Sequence, residues 1–303
     1  MAAQLYNFLS KAREMISKVP GVFLLSVILL LLSPSVSWSR EAGATSPIDY
    51  ALTDGTRLTG YLSLPPDYQP GRKYPAILLI HGGMGDGKEL LSRADGFLKI
   101  RPVQEHLCRR YVVFSAAYHS DYLGGPQEIE SLAAALQALA GLPQVDPARI
   151  AALGVSHGGY LALMCAGHPG IPVKIRAAVS ISGVVDVAAF LQQRFGGNRL
   201  GLSPVGRALG WPPDQDARTR ENYARLSVLT YVGNFQAPVL AIHGTRDHLV
   251  PVSQARSLKA ALEQRHKVFE YLEIPTGKIG GHFIIVTNKA VWEKIDAFLK
   301  KYL

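Results

Sequence analysis

Three residue types in one order suggest chemistry in this chain: the hydroxyl of Ser156, the carboxylate of Asp247 and the imidazole of His282. A serine hydroxyl is a weak nucleophile until an imidazole takes its proton. A carboxylate on the other ring nitrogen then fixes the tautomer and stabilises the imidazolium. Ser156 sits in the box Gly154-Val155-Ser156-His157-Gly158, after the apolar run 150–153 and before a helical pattern. A strand-turn-helix setting lifts the serine oxygen clear of the chain, and flanking glycines admit backbone where a Cβ would collide. The turn also opens a helix, whose first N–H groups and positive dipole end face a developing oxyanion. The backbone N–H of His157 is the expected first donor to that oxyanion. Gly83 or Met84, in the loop Ile80-His81-Gly82-Gly83-Met84-Gly85, is the expected second, and the sequence leaves that choice open. Such a set attacks a carboxylic ester or amide carbonyl through an acyl-enzyme and calls for no cofactor.

Each residue also has a blander reading. Ser156 could be a helix cap, Asp247 an Asx-turn residue and His282 a packed loop histidine. Asp186, which follows another apolar run, is the rival acid. His119, His243 and His248 occupy candidate faces as well, yet only His282 follows the last core strand. His81 reads as a loop brace rather than a proton shuttle. No H-E-x-x-H box or paired Cys/His spacing occurs, so no metal is expected. The stretch 82–89 lacks the full phosphate-loop pattern, and no nucleic-acid motif accompanies the basic residues.

The elements that must position these residues follow from hydrophobic periodicity. Runs at 48–52 and 57–64 flank Thr53-Asp54-Gly55-Thr56 and read as a hairpin with an Asp-Gly turn. Continuously apolar runs at 76–80, 111–116, 150–153, 177–181, 238–242 and 268–274 read as strands buried on both faces. Helical patterns at 127–139, 159–166, 253–264 and 288–302 lie between or after them. Strand-helix alternation implies an α/β fold with a mostly parallel central sheet and helices on both faces. Asp247 and His282 then fall in loops at the carboxyl ends of strands, the edge where the Ser156 turn must also lie. The alternation breaks over 184–236, which reads as a small helical cap inserted in a catalytic domain spanning 48–303.

The chain has 303 residues, a net charge of +9 with scattered basic residues, and two cysteines, too few for a disulfide framework. Cys165 reads as a small buried hydrophobe, and a Cys108–Cys165 bridge stays open. Residues 1–39 order Lys11, Arg13 and Lys18 before the apolar run 22–32 and the small residues Ser37 and Ser39. That is the pattern of a secretory signal peptide, with an uncleaved membrane anchor as the rival reading. The protein is accordingly expected to be exported, periplasmic or secreted, touching a membrane only if the segment is uncleaved. Oligomeric state is not readable.

Gly154-Val155-Ser156-His157-Gly158-Gly159-Tyr160-Leu161-Ala162 resembles the GxSxGGYxA segment of prolyl oligopeptidase-like (S9) α/β-hydrolases. The segment 238–251, with His243-Gly244-Thr245-Arg246-Asp247, is similar to that family's acid-bearing stretch, Tyr74-Pro75 through Gly83 to its YPxxxxxHGG entry, and Gly281-His282 to its base motif. The resemblance spans roughly 48–303 and implies an α/β-hydrolase fold with Ser156 as nucleophile, Asp247 as acid and His282 as base. The family's aromatic loop after the second core strand corresponds to Tyr118-His119-Ser120-Asp121-Tyr122, which makes Tyr118 and Tyr122 candidate substrate contacts, with a purely structural role as the equal alternative. Family peptidases usually carry an N-terminal β-propeller and an acidic pair for a peptide's amino terminus, and neither is evident here. The expectation therefore puts a small-molecule ester first. A short peptide, cleaved as by dipeptidyl- or acylaminoacyl-peptidases, comes second, and a non-catalytic binding protein on the same fold is the remote alternative.

Overall fold

Residues 74–80, Tyr-Pro-Ala-Ile-Leu-Leu-Ile, carry six buried positions out of seven and form a strand at the heart of the sheet. Neighbouring side chains on it point to opposite faces. Ala76, Leu78 and Ile80 join one hydrophobic core, while Ile77 and Leu79 join a second. A run that is apolar at every position is stable only where both faces are covered, which is the situation here. The computed structural model describes residues 45–83, 93–119, 123, 125–195, 208–276, 281, 282, 284 and 288–303. The expected leader, 1–39, lies outside them.

Eight strands form one sheet: β1 Thr45–Ala51, β2 Arg57–Ser63, β3 Tyr74–Ile80, β4 Val112–Ser115, β5 Val145–Val155, β6 Ala177–Ile181, β7 Val239–Gly244 and β8 Phe269–Ile274. Their spatial order is β1-β2-β4-β3-β5-β6-β7-β8. β1 pairs antiparallel with β2 and β2 with β4, and every other pairing is parallel. The hairpin turn is held by Asp54, whose Oδ1 accepts from the backbone N–H of Thr56 at 2.8 Å, and by Gly55 at φ 84°. Parallel strands need crossovers, and helices supply them.

The helices that frame the sheet are α1 Arg93–Leu98, α2 Pro126–Gly141, α3 His157–Gly167, α4 Val187–Phe195, α5 Ala217–Leu226, α6 Ser253–Gln264 and α7 Lys289–Tyr302. On α2, Ile129, Leu132, Leu136 and Leu139 fall on one stripe at helical spacing and enter the first core with most of α3. The opposite core takes Val291, Trp292, Ile295, Phe298 and Leu299 from α7, each large side chain worth roughly 1.5–3 kcal/mol of apolar burial. Asn288 caps that helix, accepting from Ala290 N at 3.0 Å.

Two outcomes add to the sequence expectation. The stretch 93–108, for which the sequence offered no assignment, holds α1 and a helical turn over 101–108, whose Leu107 and Cys108 plug the second core. Both cysteines are free and buried, and Cys165 belongs to the first core while Cys108 belongs to the second. The sheet thus separates the two thiols, and the Cys108–Cys165 bridge does not form. Between β6 and β7 the described residues form α4, α5 and short turns, fastened to the body by hydrogen bonds. Gln254 Oε1 accepts from Val185 N at 2.9 Å and Asp186 N at 2.8 Å, and Tyr160 donates to Leu226 O at 2.8 Å.

Candidate active site

β5 ends at Val155, α3 starts at His157, and Ser156 between them makes the whole reversal with φ 58° and ψ −122°. A non-glycine residue there stores on the order of 1–3 kcal/mol, so the surroundings must hold it. Ser156 N donates to Ile181 O at 2.8 Å, and Tyr160 N donates to Ser156 O at 3.1 Å. The flanking glycines are required by close approach. A Cβ on Gly158 would sit 2.1 Å from Ile80 O, and one on Gly154 would sit 2.0 Å from Gly158 O. The box therefore wedges backbone against backbone between β3 and β5 and leaves Ser156 half-buried at the carboxyl edge of the sheet.

Asp247 follows β7 in a turn at the same edge. Its Oδ1 accepts from Leu249 N at 2.8 Å and Val250 N at 2.9 Å. Its Oδ2 lies 2.7 Å from His282 Nδ1 and 3.3 Å from His243 Nε2. Burial alone would raise this carboxyl's pKa, but hydrogen bonds from His243 and His282, with the charge of His282, more than offset it. The result is a carboxylate held well below the usual range. His282 reaches it because Gly281 has no side chain: a Cβ there would lie 2.5 Å from Arg246 O. The structure places Asp247 and His282 side by side, and both are buried. Asp186 is elsewhere, its Oδ1 accepting from Ala189 N at 3.0 Å to cap α4. His243 is a partner that sequence reasoning passed over. Its Nε2–H is shared between Val250 O at 2.9 Å and the Asp247 carboxylate.

The loop after β3 lies against the serine turn, since a Cβ on Gly82 would be 3.0 Å from Ser156 Cβ. Gly83 follows at φ 119°. His81 braces this loop, as expected: its Nδ1 lies 3.2 Å from Gly82 O, and its ring stacks on Tyr118 at 4.7 Å. Met84 and Tyr122 lie outside the described residues. Tyr118 is fully buried, and its hydroxyl donates to His81 O at 2.8 Å, so the described contacts favour the structural role, in which it supports the loop. His157 points its side chain inward, with Nδ1 3.1 Å from Gly83 O and Nε2 2.8 Å from Glu128 Oε1 on α2. Among the described residues, no group of three or more His, Cys, Asp or Glu is placed to hold a metal ion.

Residues 114–303 match the model of the prolyl oligopeptidase family. The chain is 27% identical over 75% of its length to an uncharacterized peptidase, YuxL, of Bacillus subtilis, covering 34% of that protein. It is 28% identical over 82% of its length to dipeptidyl-peptidase 5 of Porphyromonas gingivalis, covering 37% of it. The chain thus spans about a third of the length of these relatives. A thermophilic esterase from Thermogutta terrifontis, solved with propionate bound, superposes with a TM-score of 0.61 at 20% identity, covering 85% of this chain and 94% of that one. With the family model matched from β4 to the carboxyl terminus, on a fold shared with that esterase, the chain belongs to the prolyl oligopeptidase family of serine hydrolases, built on the α/β-hydrolase fold.

Proposed function

We propose that this chain hydrolyses an acyl bond through an acyl-enzyme on Ser156, with His282 as general base and acid and Asp247 as the carboxylate that orients it. The observation that carries this reading is the 2.7 Å contact between His282 Nδ1 and a buried, doubly anchored Asp247, at the sheet edge that also presents the strained Ser156 turn. In the reaction, Ser156 Oγ adds to the carbonyl carbon while His282 Nε2 takes its proton. The oxyanion is held by the N–H of His157 and by a second N–H from Gly83 or Met84, and losing one such donor typically costs about 3–4 kcal/mol. His282 returns the proton to the departing alkoxide or amine. It then activates the water that releases the acid and regenerates Ser156.

Two substrate classes fit this chemistry. The named relatives are peptidases, which supports amide bonds of short peptides. The ester expected from sequence stays as the second reading, favoured by the near full-length likeness to a compact esterase. Parallel assays on aminoacyl-p-nitroanilides, short peptides and p-nitrophenyl esters separate them. Turnover of esters alone would reject the peptidase reading, and a defined residue preference on amides would reject the esterase reading. Export through residues 1–39, as cleaved signal or retained anchor, belongs to the same proposal. Amino-terminal sequencing of protein recovered outside the cytoplasm tests it, and a cytoplasmic protein starting at Met1 would refute it.

A further inference from the structure

We infer that His243, which has no part in the proton transfers above, is the positioning residue of the acid: it holds Val250, whose N–H fixes Asp247, and so aims Asp247 Oδ2 at His282. This rests on the reading of Ser156, Asp247 and His282 as the catalytic set. His243 is the fifth residue of β7, and its imidazole is buried at the carboxyl edge of the sheet. A buried ring N–H must find an acceptor, and His243 Nε2 meets Val250 O at 2.9 Å. A backbone carbonyl only accepts, so Nε2 carries a proton whatever the charge of the ring. Val250 N in turn donates to Asp247 Oδ1 at 2.9 Å. Val250 is thus gripped on both sides, its carbonyl by the histidine and its N–H by the acid.

Leu249 and Val250 lie in a bend between β7 and α6, so neither a strand ladder nor a helix sets their backbone. His243 supplies that restraint from the end of a buried strand, and its Nε2 also lies 3.3 Å from Asp247 Oδ2. Histidine, Val250 and carboxylate close a ring of three contacts, within which the carboxylate has one orientation. Oδ1 faces Leu249 N and Val250 N, and Oδ2 is turned to His282 Nδ1 at 2.7 Å. Glu273, which stands opposite His243 on β8, is engaged elsewhere: its oxygens take Arg256 Nε and Nη2 at 2.8 Å each and the Tyr271 hydroxyl at 2.6 Å. Without the donor at His243, Val250 is free to turn and Asp247 Oδ1 loses a partner. His282 is then held in line for less of the time.

Substitutions at His243 and two kinds of spectrum test this. His243→Leu removes the donor, whereas His243→Gln sets an amide N–H where Nε2 stood. Expected for the leucine variant is a fall in kcat of about tenfold or more, short of the roughly 10⁴-fold cost of losing the acid's role outright. KM should change little, and the glutamine variant should stay near wild type. Proton spectra read the acid itself. The downfield signal of His282 Nδ1–H, held in a short hydrogen bond to a carboxylate, should weaken or move in the leucine variant and persist in the glutamine one. If the leucine variant does not fold, His243→Asn, whose amide stops short of Val250 O, takes its place. Nitrogen-15 spectra of histidine-labelled wild type should show His243 protonated at Nε2, and a ring unprotonated there overturns the inference whatever the variants do. A folded leucine variant with wild-type kcat, or one that loses kcat with the His282 signal unchanged, also overturns it, provided a fluorophosphonate labels Ser156 of the wild type. Absence of that labelling in folded wild type overturns the catalytic reading itself, and this inference with it.

Discussion

Asp247→Asn is the most discriminating change at the acid. The carboxylate is anchored on both oxygens: Oδ1 accepts two backbone N–H groups, and Oδ2 faces His282 Nδ1 and His243 Nε2. An asparagine must keep its carbonyl toward Leu249 and Val250, because the flipped amide would set a donor against two donors and leave buried groups unpaired at about 1–3 kcal/mol each. Its NH₂ then faces His282. The ring answers by accepting at Nδ1, which places its proton on Nε2, the nitrogen that must be empty to take the proton of Ser156. The nucleophile loses its base while the architecture stays. His243 keeps Val250 O as a partner, so the variant is expected to stay folded while losing the stability the carboxylate's charge supplies. Loss of the productive tautomer is expected to cut kcat by about 10⁴-fold, or about 5 kcal/mol of barrier. The assay is steady-state hydrolysis of a chromogenic acyl substrate at neutral pH, with a thermal melt as the folding control. A folded variant within about tenfold of wild type would refute the assignment of Asp247.

Further expectations follow from the same geometry. Because the Asp247 carboxyl is depressed, its contribution to stability is present above the ordinary carboxylate range near pH 4 and is lost as pH falls through its folded value. The stability gap between wild type and Asp247→Asn should therefore hold steady at neutral pH and close in strong acid, and a gap that widens on acidification would contradict this. Asp186→Asn should leave kcat within about threefold of wild type, since asparagine caps a helix as well as aspartate does. A deep loss of activity there would move the acid to Asp186. Gly158→Ala should abolish soluble, folded protein or its activity, because the new Cβ meets Ile80 O at 2.1 Å. Normal expression and rate would show that the turn is looser than described. Burial pushes the Cys108 thiol up to about 11 and the Cys165 thiol up to about 12. Thiol reagents at pH 8 should label neither until the protein unfolds, and rapid native labelling would contradict their burial.

The parts of the site legible in sequence are those that end a continuously apolar run. Ser156 follows β5, Asp247 follows β7, and His282 comes after β8, so strand periodicity alone assigns them to one sheet edge. The glycine pattern was legible for the same local reason, since close backbone approach tolerates nothing else. What was not legible depends on contacts between elements distant in sequence. Glu128 reads as a solvated residue in the first turn of a helix, and only the packing of α2 against α3 brings it to His157. For Tyr118 the sequence left substrate contact and a structural role open, and only its packing against His81 favours the second. His243 gave a faint signal, standing four residues before the acid, yet a buried strand-end histidine is indistinguishable from a packed one without its partners. The helix over 93–98 was obscured by Gly96 and a short length, which leave too little periodicity to detect.

The most direct test of the central claim is covalent labelling of the folded protein with a fluorophosphonate, read by mass spectrometry of the peptide that carries residues 150–176. A single adduct on Ser156, absent in Ser156→Ala and slowed in Asp247→Asn, is the expected result. Labelling that persists in Ser156→Ala, or a folded wild type that takes no label, would contradict the assignment of Ser156 as the nucleophile.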